Sequence, residues 1–178
     1  GYTSFKVHTT YKGGGLYVDT DGLYCVFSEV AKCGGLVTVH AENDDMVEAA
    51  MQRLLREGKT DFRYFPEYKP DEAEAEAVAR CIRIAKETGC KLLIRHISSQ
   101  EAAESIAEAQ AAGLPVYAET CPQYLAFTRE VYAQENGRDY ILHPPIRGAE
   151  DREAIWAAIQ NGMKITLATD DCGFFLRQ

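Results

Sequence analysis

Four side chains of types that bind metals or move protons stand at comparable places in the 178-residue chain: Lys6, His40, His96 and Asp170. Lys6 lies inside the apolar run Ser4–Thr10, and His40 closes the run Leu36–His40. His96 sits at the end of the run that opens at Leu92, and Asp170 directly follows Ile165–Thr169. Imidazole nitrogen and carboxylate oxygen suit zinc and related divalent ions, so the four together read as a metal-ligand set. Each has a plainer reading as well. A single His at a strand end is often a hydrogen-bonded structural residue, and Asp170 with Asp171 before a turn can cap the next segment. Lys6 is harder to dismiss, because an ammonium in an apolar strand is costly without a partner, a surface exit or a chemical modification. On residue type alone, His8 and His143 are ordinary polar residues.

Such groups need elements that carry them to one place. Five short runs rich in Val, Ile and Leu (Ser4–Thr10, Leu36–His40, Leu92–Ile97, Leu114–Ala118 and Ile165–Thr169) suit buried strands of a parallel sheet. Amphipathic stretches fill the gaps. Asp71–Thr88 places Ala75, Val78, Ala79, Ile82 and Ala85 on one stripe and stops at Gly89. Ser99–Ala112 opens with a Ser cap and an acidic turn; Asn43–Arg56, Glu150–Gln160 and a shorter Gly22–Lys32 complete the set. The segment Arg63–Pro70 (RYFPEYKP) is the least regular and reads as a surface excursion between helices. Alternating strands and helices mean βαβ units in one α/β domain spanning 1–178. The reactive groups then cluster at strand carboxyl ends, where parallel α/β folds build their sites.

Composition excludes several classes of function. With 27 acidic against 19 basic side chains the net charge is -8, the wrong sign for a nucleic-acid footprint. No apolar stretch approaches the roughly 18 residues of a membrane helix, and no signal-peptide pattern opens the chain. Six cysteines (Cys25, Cys33, Cys81, Cys90, Cys121 and Cys172) form no CxxC pair or regular framework, which reads as scattered reduced thiols of a cytoplasmic protein.

Longer motifs go further. SFKVHTTYKG from Ser4, VHAEN from Val39, HISS from His96, GLPVYAETCPQYL from Gly113, HPPIR from His143 and ATDDC from Ala168 follow one another along nearly the whole chain. In type and order they resemble the hydantoinase and dihydropyrimidinase branch of the amidohydrolase superfamily. The resemblance implies a (β/α)₈ TIM barrel, of which about five strands out of eight are present, truncated at both ends relative to the family. It implies two divalent metal ions, usually zinc, bridged by a carboxylated Lys6. His40 and His96 then resemble the ligands of the more exposed ion, and Asp170 the ligand of the buried one and the proton shuttle. Tyr11 resembles the phenol that polarises the substrate carbonyl, and His143 stands where the family usually has a Ser that holds the cyclic amide. The implied substrate is a small cyclic amide opened by hydrolysis, a hydantoin or dihydropyrimidine, in a cytoplasmic homo-oligomer, a homotetramer in the family.

Departures shape the expectation. The family's first strand normally carries a His-x-His pair, which this chain lacks, and Asp170-Asp171-Cys172-Gly173 replaces the usual Asp-His-Cys-Pro. His8, Thr9 and Thr10 stand where large apolar residues are usual, ahead of the bare Gly13–Gly15 loop, which implies a wide, polar substituent pocket. The alternatives are an allantoinase-like cyclic amidohydrolase and a non-catalytic dihydropyrimidinase-like scaffold. Retention of all four ligand-type residues favours the enzyme, with the isolated chain expected to be inactive.

Overall fold

The computed structural model describes residues 1–171. Cys172 and Gly173 of the last motif lie outside the described residues. In chain order the regular elements are β1 (Ser4–His8), α1 (Thr20–Lys32), β2 (Leu36–His40), α2 (Asp44–Arg56), the single-turn α3 (Phe65–Tyr68), α4 (Asp71–Thr88), β3 (Lys91–Ile94), α5 (Gln100–Ala111), β4 (Val116–Thr120), α6 (Pro122–Ala126), α7 (Ala149–Gln160) and β5 (Ile165–Leu167). The five strands form one parallel sheet in the order β1-β2-β3-β4-β5. Sequential order with helical crossovers is the arrangement of consecutive units of a barrel wall.

Strand alternation assigns the two faces. Val7, Val37, Val39, Leu92, Ile94, Val116 and Ala118 point to one side and are buried against α1, α4, α5 and α7. Burying each Val, Leu or Ile there contributes about 1.5–3 kcal/mol. The opposite face carries Lys6, His8, Thr38, His40, Arg95 and Glu119, so one sheet side is core and the other is chemistry.

Several expectations need correction. Lys6 is exposed on that second face, so an apolar-strand burial penalty does not apply to it in this chain: alternation turns it away from the helices that cover Val7. The buried stripe of α4 is Ala77, Val78, Cys81, Ile84 and Ala85 with Glu74, whereas Ala79 is exposed. The helix is rotated from the apolar pattern because Glu74 is drawn inward by Ser98 and Arg147. Ser99 stands at the start of α5 without capping it; Asp151 of α7 accepts the Gln100 N–H instead, at 2.9 Å. Asn43 does cap α2, accepting from the N–H groups of Asp45 and Met46. The Arg63–Pro70 excursion is not irregular: a 3-10 turn at Phe62–Tyr64 runs into α3 and delivers Lys69 to the interior. Cys81, Cys90 and Cys121 are buried, Cys25 and Cys33 exposed, and all five are free thiols.

Candidate active site

The carboxyl ends of β1, β2 and β3 bring three imidazoles together. His40 is the last residue of β2 and is 4% exposed; His96 lies two residues beyond β3 and is 2% exposed. Their rings meet edge to face with centroids 4.5 Å apart, and His8, opposite His40 in the β1–β2 register, stacks 5.6 Å from it. His8 therefore belongs to the cluster, although its residue type alone gave no reason to single it out. Burial first, then the neighbouring His40, holds His96 well below the usual imidazole range. Burial, then His40, Lys6 and Arg95, brings His8 down to about 4. Neutral imidazoles are the form that binds metals.

Tyr11 and His143 close the other side. The Tyr11 ring is 5.2 Å from His40 and 6.3 Å from His143, which also rests edge-on against Phe65 at 5.2 Å. Burial, then the Glu42 carboxylate, pushes the Tyr11 phenol up, so it remains a hydrogen-bond donor at neutral pH. His143 is brought down to about 4 by burial, then by Lys69. Two staples set this geometry. The Thr9 hydroxyl donates to the Glu42 carbonyl at 2.8 Å and accepts the Glu42 N–H at 2.9 Å. Asp44 Oδ1 accepts the Thr10 hydroxyl at 2.8 Å and the Tyr11 N–H at 2.6 Å. Beside Tyr11 opens a cavity of about 450 Å³, lined among others by Lys12, Gly13, Gly14 and Tyr68.

Three candidate residues carry unusual backbones. Tyr11 (φ 70°), His96 (φ 41°) and Asp170 (φ 50°) are the positive-φ residues other than glycine among the described residues. An L side chain in that region costs on the order of 1–3 kcal/mol, and such residues persist where the surroundings over-determine them, typically at functional sites.

Asp170, three residues beyond β5, reaches a different partner. Arg95 donates to it at 2.8 Å and to Glu119 at 2.9 Å, on the same sheet face as the imidazoles. His40 and His96 are thus together, Tyr11 and His143 beside them, while Lys6 is solvent-exposed and Asp170 is held in an ion pair. Among the described residues no three His, Cys, Asp or Glu side chains converge as a metal cage. The donor chemistry nonetheless fits a divalent ion at the imidazoles. His96 Nδ1 is buried without a hydrogen-bond partner, and His40 has its Nε2 engaged by Glu42 at 2.6 Å, leaving Nδ1 for a ligand.

Four residues of this neighbourhood escape a reading by residue type: Glu42, Lys69, Arg95 and Arg147. Glu42 and Arg147 lie inside quoted motifs (HAEN, HPPIR), and Arg95 precedes His96, so position could have flagged them. Nothing in the sequence marks Lys69.

No family model matches the chain. A D-hydantoinase of Geobacillus stearothermophilus is 38% identical over 177 residues, 98% of this chain and 37% of that protein. A D-phenylhydantoinase of Escherichia coli O1:K1 / APEC is 35% identical over the whole chain and 38% of its own length. A crystal structure of a D-hydantoinase superposes with a TM-score of 0.93 at 37% identity, covering 98% of this chain and 38% of that one. The dihydropyrimidinase of Brevibacillus agri NCHU1002 gives 0.93 at 36%, with the same coverage. The chain belongs to the hydantoinase and dihydropyrimidinase family. Its fold is that of a TIM-barrel segment, and a more distant dihydroorotase of Campylobacter jejuni shares the fold alone, at 16% identity and a TM-score of 0.72. This hydantoinase-family chain spans somewhat over a third of the length of the curated relatives it matches.

Proposed function

We propose that the whole protein hydrolyses a cyclic amide, opening a hydantoin or dihydropyrimidine ring. The observation that carries this reading is the coincidence of strain and chemistry: among the described residues the three left-handed ones other than glycine are Tyr11, His96 and Asp170. A scaffold freed from catalysis has no reason to retain three such costs at these side chains.

In the proposed site His40 and His96 would hold one divalent ion together with carboxylated Lys6, and Lys6 and Asp170 would hold a second. When bound, the ions, zinc in this reading, supply Lewis acidity and a nucleophile at neutral pH. The remaining work belongs to the protein. Tyr11 donates its phenolic proton toward the oxygen of the attacked carbonyl, where charge develops. Asp170 accepts a proton from the attacking water and passes it to the leaving amide nitrogen, once Arg95 has let go of it. His143, beside Tyr11, holds the ring amide. The cavity at Lys12, Gly13 and Gly14 takes the ring substituent, and its glycines and charged side chains suit small or polar groups over phenyl. The protein is proposed to be cytoplasmic and homotetrameric; among the described residues no helix is long and apolar enough to cross a membrane.

A non-catalytic relative is the second reading, and one observation favours it: Asp170 is already paired with Arg95. Hydrolysis assays on the zinc-loaded full-length protein separate the two. Ring opening of dihydrouracil or hydantoin that is abolished by His40→Ala and by Asp170→Asn supports the enzyme. Absence of turnover in a folded, metal-loaded protein overturns it.

A further inference from the structure

A line of buried charge runs behind the imidazoles, and none of its members is among the ligands or proton carriers assigned above. Arg147, from the HPPIR motif and 3% exposed, donates to the Lys69 carbonyl at 2.5 Å. The same guanidinium pairs with Asp71 at 2.7 Å and with buried Glu74 at 3.3 Å, and its Nε donates to Ser98 at 3.0 Å. Lys69, 1% exposed, extends from this anchor and donates its Nζ to Glu42 Oε2 at 2.5 Å. Glu42 is fully buried, and the same oxygen faces His40 Nε2 at 2.6 Å. The Lys69 ammonium also lies 5.2 Å over the Tyr11 ring.

Chemistry fixes what this line does to His40. An ionised carboxylate only accepts hydrogen bonds, so the ring nitrogen facing it must be the donor. In a neutral imidazole the proton then sits on Nε2, and Nδ1 keeps its lone pair. Lys69 Nζ and His40 Nε2 both meet the same Glu42 oxygen, so the buried carboxylate faces one ammonium and one ring N–H. Without Lys69 an anion in this position would be an unpaired buried charge.

We infer that Glu42 and Lys69 are positioning residues of the site: Glu42 locks His40 in the Nε2–H tautomer with Nδ1 presented to the ion, and Lys69 holds that carboxylate in place. Arg147 sets Lys69 through its carbonyl, which gives the HPPIR motif a role beyond His143. Lys69 also orders the Tyr11 ring, so one side chain orients both the ligand and the phenol. This rests on the proposed role of His40 as a ligand, and carboxylate–imidazole pairs behind metal ligands raise their basicity and fix their orientation.

The test uses the full-length protein labelled with ¹⁵N-histidine. In the metal-free state the His40 ring nitrogens should report one tautomer, with the proton on Nε2. Zinc affinity, read by competition with a chromophoric chelator, should fall about 10–100-fold in Glu42→Gln. Lys69→Met should lower it similarly, with partial rescue in Lys69→Arg. Because each single change strands a buried charge, the double variant Glu42→Gln/Lys69→Met removes both together and should keep the fold while still releasing the tautomer. A proton on Nδ1 in the wild type, or zinc affinity within twofold of wild type in the folded double variant, overturns the inference. The expected tautomer and affinity losses support it even if no hydantoin ring is opened, a result that overturns only the proposed activity.

Discussion

Arg95 holds Asp170 through a 2.8 Å contact across the open ends of β3 and β5, and its other donor grips Glu119 on the intervening strand β4. The guanidinium therefore bridges three neighbouring strands on the face that carries the imidazoles. It is a fixed cation beside a place proposed for a dication. At an effective dielectric near 20, like charges a few ångström apart repel by a few kcal/mol. Replacing Arg95 by Met should free both carboxylates and raise the zinc affinity of the full-length protein about tenfold, measured by chelator competition. Unchanged or weaker binding would mean that Asp170 is not part of a metal site.

Asp44 is the acceptor that sets the left-handed turn at Tyr11. Its Oδ1 takes the Thr10 hydroxyl and the Tyr11 N–H, and the Lys12 N–H approaches at 3.4 Å. Removing a charged acceptor leaves these donors short of a partner, at a cost of about 1–3 kcal/mol. Asp44→Ala should lower stability by that order in equilibrium denaturation. In the full-length protein it should also reduce kcat more than Tyr11-independent binding, because the phenol loses its aim. Asp44→Asn, which keeps one acceptor oxygen, should recover most of both.

Two of the lowered imidazoles, His8 and His143, make stability depend on pH in a defined direction. His8 and His143 have native values of about 4 against an ordinary 6.5. Between those values the unfolded chain binds more protons than the native one, so native stability is complete above about pH 6.5 and declines as the pH falls toward 4. Chemical denaturation at pH 7.5, 6 and 5 should show that decline, and His143→Asn should flatten it. A stability that rises on acidification through this range would contradict the burial assigned to both rings.

The strands were legible because each is a short apolar run bounded by turn residues, and β2 appears in the structure with the bounds its pattern predicts. Helix α4 was legible in extent but not in facing. Its apolar spacing reports which residues tolerate burial, whereas Glu74 is pulled inward by Ser98 and Arg147, partners far along the chain. The site divides in the same way. His40 and His96 stand where strand ends must converge, so local pattern was enough to place both at one end of the sheet, and their pairing as ligands came from the family resemblance. Lys69 was invisible because nothing local distinguishes a lysine destined for a buried glutamate 27 residues away from one bound for solvent. Lys6 reverses the case: its apolar run suggested burial, but in a strand the neighbours at i±1 face the other side, and only Val7 meets the helices.

The same face on which Lys6 lies leads to an expectation for the 178-residue chain by itself. Lys6 is open to solvent, Asp170 is committed to Arg95, and among the described residues no three His, Cys, Asp or Glu side chains are placed to hold one metal ion. His40 and His96 alone supply two nitrogens, whereas a catalytic zinc usually has three protein ligands and one open position. Five parallel strands also fall short of closing a barrel, leaving β1 and β5 as outer strands of the described sheet, with Phe5 and Leu167 exposed. Unpaired strand edges beside apolar side chains favour association. Purified on its own and supplied with zinc and bicarbonate, the chain should therefore bind fewer than two ions and open neither hydantoin nor dihydrouracil. Its apparent mass in light scattering should rise with concentration. Two tightly bound ions per chain with turnover like that of an intact relative would show that these five strands already hold a complete site.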